Sequence, residues 1–156
     1  MGAHHSQSIG AGFEAYLADL HEVYARQGRA FLEKTHPPVR VIETLEGGRF
    51  VGQWIDKGAA DYAGTLAGGR AVHLEAKATK AARFRLRRVQ AHQRERLARH
   101  RAMGALSFVL LRDRTGGGDY LLPVDEAGQV EGLTSRASAT FAQLRPWRIP
   151  PAQTWL

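Results

Sequence analysis

Asp61-Tyr62-Ala63-Gly64-Thr65-Leu66-Ala67-Gly68-Gly69-Arg70-Ala71-Val72-His73-Leu74-Glu75-Ala76-Lys77 is the stretch on which the reading of this chain turns. A carboxylate opens it, a glycine-bearing turn follows, and an alternating run closes on Glu75-Ala76-Lys77. Successive side chains of an extended strand point to opposite faces, so His73, Glu75 and Lys77 share one face and Val72, Leu74 and Ala76 the other. An acid and an amine then stand side by side above an apolar underside. Two carboxylates that hold Mg²⁺ through hard oxygens, with an ammonium near the attacking water, are what metal-dependent phosphodiester cleavage requires.

Register decides whether Asp61 can join Glu75. A two-residue loop at Gly68-Gly69 would set Asp61 opposite Ala76, facing away. A three-residue loop, Ala67-Gly68-Gly69, pairs Leu66 with Arg70 and sets Asp61 opposite Glu75. Such loops close with a residue in the left-handed region, where glycine is cheapest. Opposed residues have Cβ atoms roughly 4.5–5.5 Å apart, close enough to share one cation. The chemistry therefore predicts the longer loop. An isolated Glu-x-Lys is more often an ordinary surface hairpin; the correctly spaced aspartate is what raises it.

The chain has 156 residues, enough for one domain with a real core, so 1–156 reads as a single domain. Twenty-two Lys and Arg face 15 Asp and Glu, a formal net charge of +7, which points to a polyanion and to nucleic acid before a membrane surface. The absence of cysteine excludes disulfides and thiolate metal sites and fits a reducing cytoplasm. No apolar run approaches the length of a membrane span, and residues 1–10, without a signal-peptide core, are expected to be disordered.

Phe13, Tyr16, Leu17, Leu20, Val23, Tyr24 and Phe31 recur at helical spacing and predict an amphipathic helix from about Ala11 to Lys34. Glu14 beside this stripe reads either as an acid favoured by the helix dipole or as a further metal-site carboxylate. After Pro37-Pro38, Val39–Ile42 and Arg49–Ile55 alternate as two strands about the Glu46-Gly47-Gly48 turn. This ribbon carries Arg40, Arg49, Phe50, Trp54 and Lys57, and its aromatic groups could stack on exposed bases.

Between Lys77 and Arg101 ten basic residues face a single acid, Glu95. Solvated faces mix signs; a run this one-sided beside a metal site reads as a phosphate track, with Lys80, Arg83, Arg85, Arg87, Arg88 and Arg94 as DNA contacts. A helix is predicted from about Arg87 to Met103, closed by Gly104, with Gln93 on its inward stripe between Val89 and Leu97. Leu106–Leu111 reads as a buried strand, and Asp119–Leu122 returns beside it. Thr134 or Ser135 would cap a last short helix to about Leu144, and 145–156, with three prolines and two tryptophans, reads as an extended tail.

The order helix, strands with Asp…Glu-x-Lys, helix, buried strand resembles the restriction-endonuclease-like nuclease core. Gly12-Phe13-Glu14, Pro37-Pro38-Val39, Ala60-Asp61-Tyr62-Ala63-Gly64, Leu74-Glu75-Ala76-Lys77-Ala78-Thr79, His92-Gln93 and Ser107-Phe108-Val109 are similar to the RecU-type Holliday-junction resolvases and their phage relatives. Ala60 and His73 depart from it, standing where the family more often has a hydroxyl residue and an acid. The resemblance implies an α/β fold with a mixed central β-sheet flanked by helices and a projecting β-ribbon stalk, residues 39–55, that enters the junction.

It also implies a Holliday-junction resolvase: a Mg²⁺-dependent endonuclease, with Mn²⁺ able to substitute, that nicks opposed strands of four-way DNA junctions as a homodimer. Asp61, Glu75, the Ala76 carbonyl and Glu14 would hold the metal. Lys77 would orient or deprotonate the attacking water, and Gln93 would hydrogen-bond the phosphate or Lys77. The alternatives are another endonuclease on the same fold, in restriction or repair, and a non-cleaving DNA-architecture protein.

Overall fold

The computed structural model describes residues 3–56 and 58–156; Met1, Gly2 and Lys57 lie outside the described residues. A five-stranded sheet organises them, built from β1 (Ala30–Lys34), β4 (Tyr62–Leu66), β5 (Ala71–Thr79), β7 (Leu106–Asp113) and β8 (Gly118–Pro123) in the order β1-β4-β5-β7-β8. β5 and β7 are parallel and the other neighbours antiparallel, so the sheet is mixed. The parallel pair requires a crossover, which α2 (Ala91–Ala102) supplies.

Two cores follow from the strand period. Val72, Leu74 and Leu110 pack under α1 (Ala3–Arg26) with Phe13, Leu17, Tyr24 and Trp155. Val109, Leu111, Tyr120 and Leu122 pack on the other face with Leu97 of α2 and with Phe84 and Ala139. Phe84 belongs to β6 (Arg83–Arg85), which pairs with β9 (Ser138–Thr140) as a small second sheet. Trp155, 6% exposed, lies edge-on to Tyr24 and His21, so the tail is laid against α1. Among the described residues no helix is long and apolar enough to cross a membrane.

Three expected elements come out differently. The first helix starts at Ala3, within the segment expected to be disordered, and ends at Arg26 rather than Lys34. Gly28, at φ +66, donates to the Ala25 carbonyl and Arg29 to that of Tyr24, a closing motif that needs a left-handed residue. Ala30–Lys34 is thereby freed as an edge strand, and Phe31 is 60% exposed rather than part of the helical stripe. The second helix starts at Ala91 rather than Arg87, because a single 3-10 turn, Leu86–Arg88, precedes it. Its other end is as expected: Gly104, φ +89, donates to Arg101 and Ala105 to His100. The third expected helix, to Leu144, does not form. Ser135 stands at φ +63, and Ser138–Thr140 pairs as a strand with β6, driven by burial of Phe84 against Ala139.

β2 (Val39–Thr44) and β3 (Phe50–Trp54) form a two-stranded ribbon outside the main sheet, and all but half-buried Val39 are exposed. Val39 pairs with Trp54 and Arg40 with Gln53, so Phe50, Gly52 and Trp54 share a face that excludes Arg40. A Cβ on Gly52 would lie 2.3 Å from Val39 Cγ1 and 3.0 Å from the Phe50 ring, so the glycine lets that ring lie across the strand. The ribbon thus splits the groups expected to act together: aromatics on one side, Arg40 on the other.

Gly64 shows how tightly β1 and β4 pack. A Cβ there would sit 2.0 Å from the Phe31 carbonyl oxygen and 2.8 Å from Leu32 Cα, both backbone. Gly64→Ala is therefore expected to lower stability by at least about 2 kcal/mol, read as a fall in the urea midpoint, because β1 must shift to admit it.

Candidate active site

The hairpin has the three-residue loop. Tyr62 pairs with Leu74, Ala63 with His73 and Thr65 with Ala71, and the Leu66 amide donates to the Arg70 carbonyl at 2.8 Å. Continued one step, this register sets Asp61 across from Glu75. β4 stops at Tyr62, so the Ala76 amide has no strand to bond on that side and donates to Asp61 Oδ2 at 2.9 Å. The Asp61 carbonyl in turn accepts from the Thr35 amide at 2.9 Å, the step after β1. Asp61 is thus anchored to the strands on either side of it.

Glu75 is fully buried, with 0% exposure. Its Oε1 accepts from Lys77 Nζ at 2.5 Å and from Gln93 Nε2, while Oε2 is buried with no hydrogen-bond partner among the described residues. A buried carboxylate oxygen without a donor costs desolvation that is relieved when the carboxyl takes up a proton and shares it with Asp61. Burial lifts the Glu75 carboxyl from 4.5 to about 7; Lys77 pulls it back down and Asp61 pushes it further up. Gln93 owes its orientation to the start of α2. Its Oε1 accepts from the Gln90 amide at 2.9 Å, as in a capping box, which turns the NH₂ toward Glu75.

Glu14 does not join this pair. Its Oε2 accepts from Lys34 Nζ at 2.6 Å in an exposed ion pair, and among the described residues no three acids or histidines converge on a metal-sized space. The reason is the strand that replaced the helix end: β1 brings Lys34 alongside Tyr62 and gives Glu14 a cation of its own. His73 stacks on His100 with centroids 3.4 Å apart, and burial holds it near 4, so a neutral ring stands where the family often has an acid.

The arginine run is more differentiated than its composition implied. Arg88 is a strut, donating to Thr79 Oγ1 at 2.8 Å and to the Ala78 carbonyl at 3.0 Å at the end of β5. Arg83 holds Ser138 Oγ at 3.1 Å, and Arg96 pairs with Asp56 at the foot of the ribbon. Arg85, Arg87 and Lys80 are exposed, and Arg49 reaches the Glu46 carbonyl at the ribbon tip, 3.4 Å away. Lys34 and Thr35, which the sequence reading passed over, flank the site. The left-handed glycine ending α1 is the signal that would have found them.

A mixed sheet of this connectivity, with an aspartate opposed to a Glu-x-Lys at the end of its antiparallel run, defines a restriction-endonuclease-like nuclease. The model of the family described as recombination protein U (RecU) matches residues 8–144, and the chain belongs to that family of Holliday-junction resolvases. It is accordingly a nuclease of DNA recombination. Among solved structures the fold is similar to Hjc, a Holliday junction resolvase of the archaeal hyperthermophile Archaeoglobus fulgidus. The TM-score is 0.53 at 16% identity, covering 89% of this chain and 96% of that one. No curated protein matches the chain.

Proposed function

We propose that the chain resolves four-way DNA junctions by Mg²⁺-supported hydrolysis at Asp61, Glu75 and Lys77, acting as a homodimer. The observation that carries this is the bare, fully buried Glu75 Oε2 beside Asp61. An orphaned carboxylate oxygen next to a second acid fits a hard divalent cation, and Mn²⁺ fits the same donors. Ala76 adds a third oxygen: a strand residue's N–H and C=O leave by the same edge, and its N–H already faces Asp61 where β4 has ended. Glu14, paired with Lys34, is not in this donor set.

When bound, the cation polarises the scissile phosphate and lowers the pKa of a bound water. The chain's own groups do the rest. Lys77, its side chain 18% exposed, holds Glu75 and orients the attacking water while offsetting charge that develops on the phosphate. Gln93 keeps Glu75 Oε1 occupied, so that Oε2 is the oxygen left to face a cation.

Site chemistry of this kind cuts any correctly placed phosphodiester, so junction selectivity has to come from shape. The ribbon's aromatic face, with Trp54 68% and Phe50 52% exposed, suits unstacked bases at a branch point, where stacking is worth about 1–3 kcal/mol per base. Two copies on a two-fold axis would serve the two equivalent strands of a junction. Labelled four-way junction, duplex and single strand, incubated with Mg²⁺ and then with EDTA, test the reading. Paired nicks in the junction, abolished by EDTA, are expected. A form in which Glu46–Arg49 and the adjoining strand ends are replaced by a short Gly-Ser turn should keep Mg²⁺ binding but fall toward duplex-level affinity. Equal cutting of duplex by the intact protein would overturn the assignment.

A further inference from the structure

Three arginines that hold no strut position, Arg85, Arg87 and Arg94, converge on one cleft. We propose that Arg85, Arg87 and Arg94 form a second phosphate-binding subsite, separate from the cutting centre, that clasps the backbone of a DNA arm. This rests on the reading of DNA as substrate, but not on the cutting chemistry.

Local structure brings the three together. Phe84 is fully buried and pairs with Ala139, so its neighbours Arg83 and Arg85 are turned outward. Leu86 packs on the same core and its amide donates to the Ala137 carbonyl at 2.9 Å. The 3-10 turn that follows is closed by the fully buried Val89, which leaves Arg87 displayed. Arg94 comes in from the first turn of α2, and its Nε is buried with no hydrogen-bond partner among the described residues. The cleft between them, about 540 Å³, is lined by Arg83, Arg85, Arg87, Arg94 and Ser138, with no acid in its wall among the described residues.

The cleft is a built site rather than a charged slope. Arg83, fixed to Ser138 through two hydrogen bonds, makes one wall rigid. A desolvated guanidinium N–H with nothing to donate to costs free energy unless an acceptor arrives, and a phosphate oxygen is the acceptor that several forked donors fit. Gln93, the residue before Arg94, touches Glu75. The first turn of α2 therefore ties the cleft to the cutting centre, and a backbone held in one is held in register with the other.

The test is run in EDTA, where no cutting can occur. Affinity of the full-length protein for a labelled four-way junction is measured against salt for the wild type, for Arg85→Ala/Arg87→Ala, and for Arg99→Ala/Arg101→Ala at the far end of the same helix. Each lost phosphate contact should flatten the log–log slope by about 0.9, so the first pair should remove roughly 1.8 and the second clearly less. Arg85 and Arg87 are exposed, and unchanged melting of that variant checks its fold.

The Arg94 Nε–Hε resonance, assigned with Arg94→Lys, should shift when junction DNA is added. A shift with DNA, whether or not millimolar inorganic phosphate also moves it, supports the subsite. A shift with inorganic phosphate alone means a small-anion site and overturns the backbone reading, as do equal slope losses in the two pairs or a silent Arg94. A protein that cut nothing in Mg²⁺ yet met these expectations would keep the subsite and lose the proposed chemistry.

Discussion

Asp61→Asn and Glu75→Gln are each expected to reduce Mg²⁺-supported nicking of a four-way junction by ~10³-fold or more, with junction affinity unchanged or slightly raised. Both substitutions keep size and remove one negative charge from the donor set. Asn at 61 can still accept the Ala76 amide through its carbonyl, so the strand end should hold. Gln at 75 can still accept from Lys77 and Gln93 through its oxygen, which puts an NH₂ that repels a cation at the bare Oε2 position. Binding should survive because the arginines proposed to meet the backbone are on β6, the 3-10 turn and α2, and loss of an acid reduces repulsion of phosphate. Single-turnover cleavage and EDTA binding isotherms separate the two effects. Undiminished nicking by either variant would remove that residue from the site. Matching losses of binding and cutting would mean that the substitution had unfolded the hairpin.

How much of this the sequence could carry depended on the reach of each interaction. The register of the hairpin was legible because two local demands agreed: a glycine pair for the loop, and a carboxylate that must reach Glu75. Gln93 was legible as an inward residue from helical spacing alone. Glu14 was not, because its partner Lys34 sits on a strand that exists only once α1 stops at the Gly28 closure. The same closure was written at Gly28, but a long apolar stripe through Phe31 outweighed one glycine. β9 was illegible for a different reason. Its pairing with β6 spans more than fifty residues, and its own residues favour no strand; burial of Ala139 on Phe84 decides it. The arginine run could be read as basic, yet not sorted into struts and free donors, since Arg88 and Arg83 are defined by what they touch. On the ribbon, composition put Arg40 with Trp54, and register put them on opposite faces.

Glu75 should also make the stability of the metal-free protein depend on pH in a way a glutamine would not. Burial raises its carboxyl from 4.5 to about 7, even with Lys77 beside it. Between those values the folded chain keeps a proton that the unfolded chain has released. Stability therefore falls as pH rises through that window, and Glu75 contributes no penalty below it. The full shift corresponds to roughly 3 kcal/mol. The stacked His73 and His100 are present in both wild type and Glu75→Gln, so the difference between the two proteins reports on Glu75 together with the Asp61 and Lys77 that interact with it. Measured by urea unfolding in EDTA, that difference should move in favour of the glutamine variant by this amount between about pH 4 and about pH 8. Mg²⁺ should then offset most of it. Binding to the ionised Asp61–Glu75 pair stabilises the wild type by about 2.7 kcal/mol at a concentration one hundred times Kd, and should leave the variant nearly unmoved. A difference that stays flat with pH would mean that Glu75 is ionised throughout. Equal stabilisation of both proteins by Mg²⁺ would place the cation away from Glu75, and the bare Oε2 would then be filled from outside the pair.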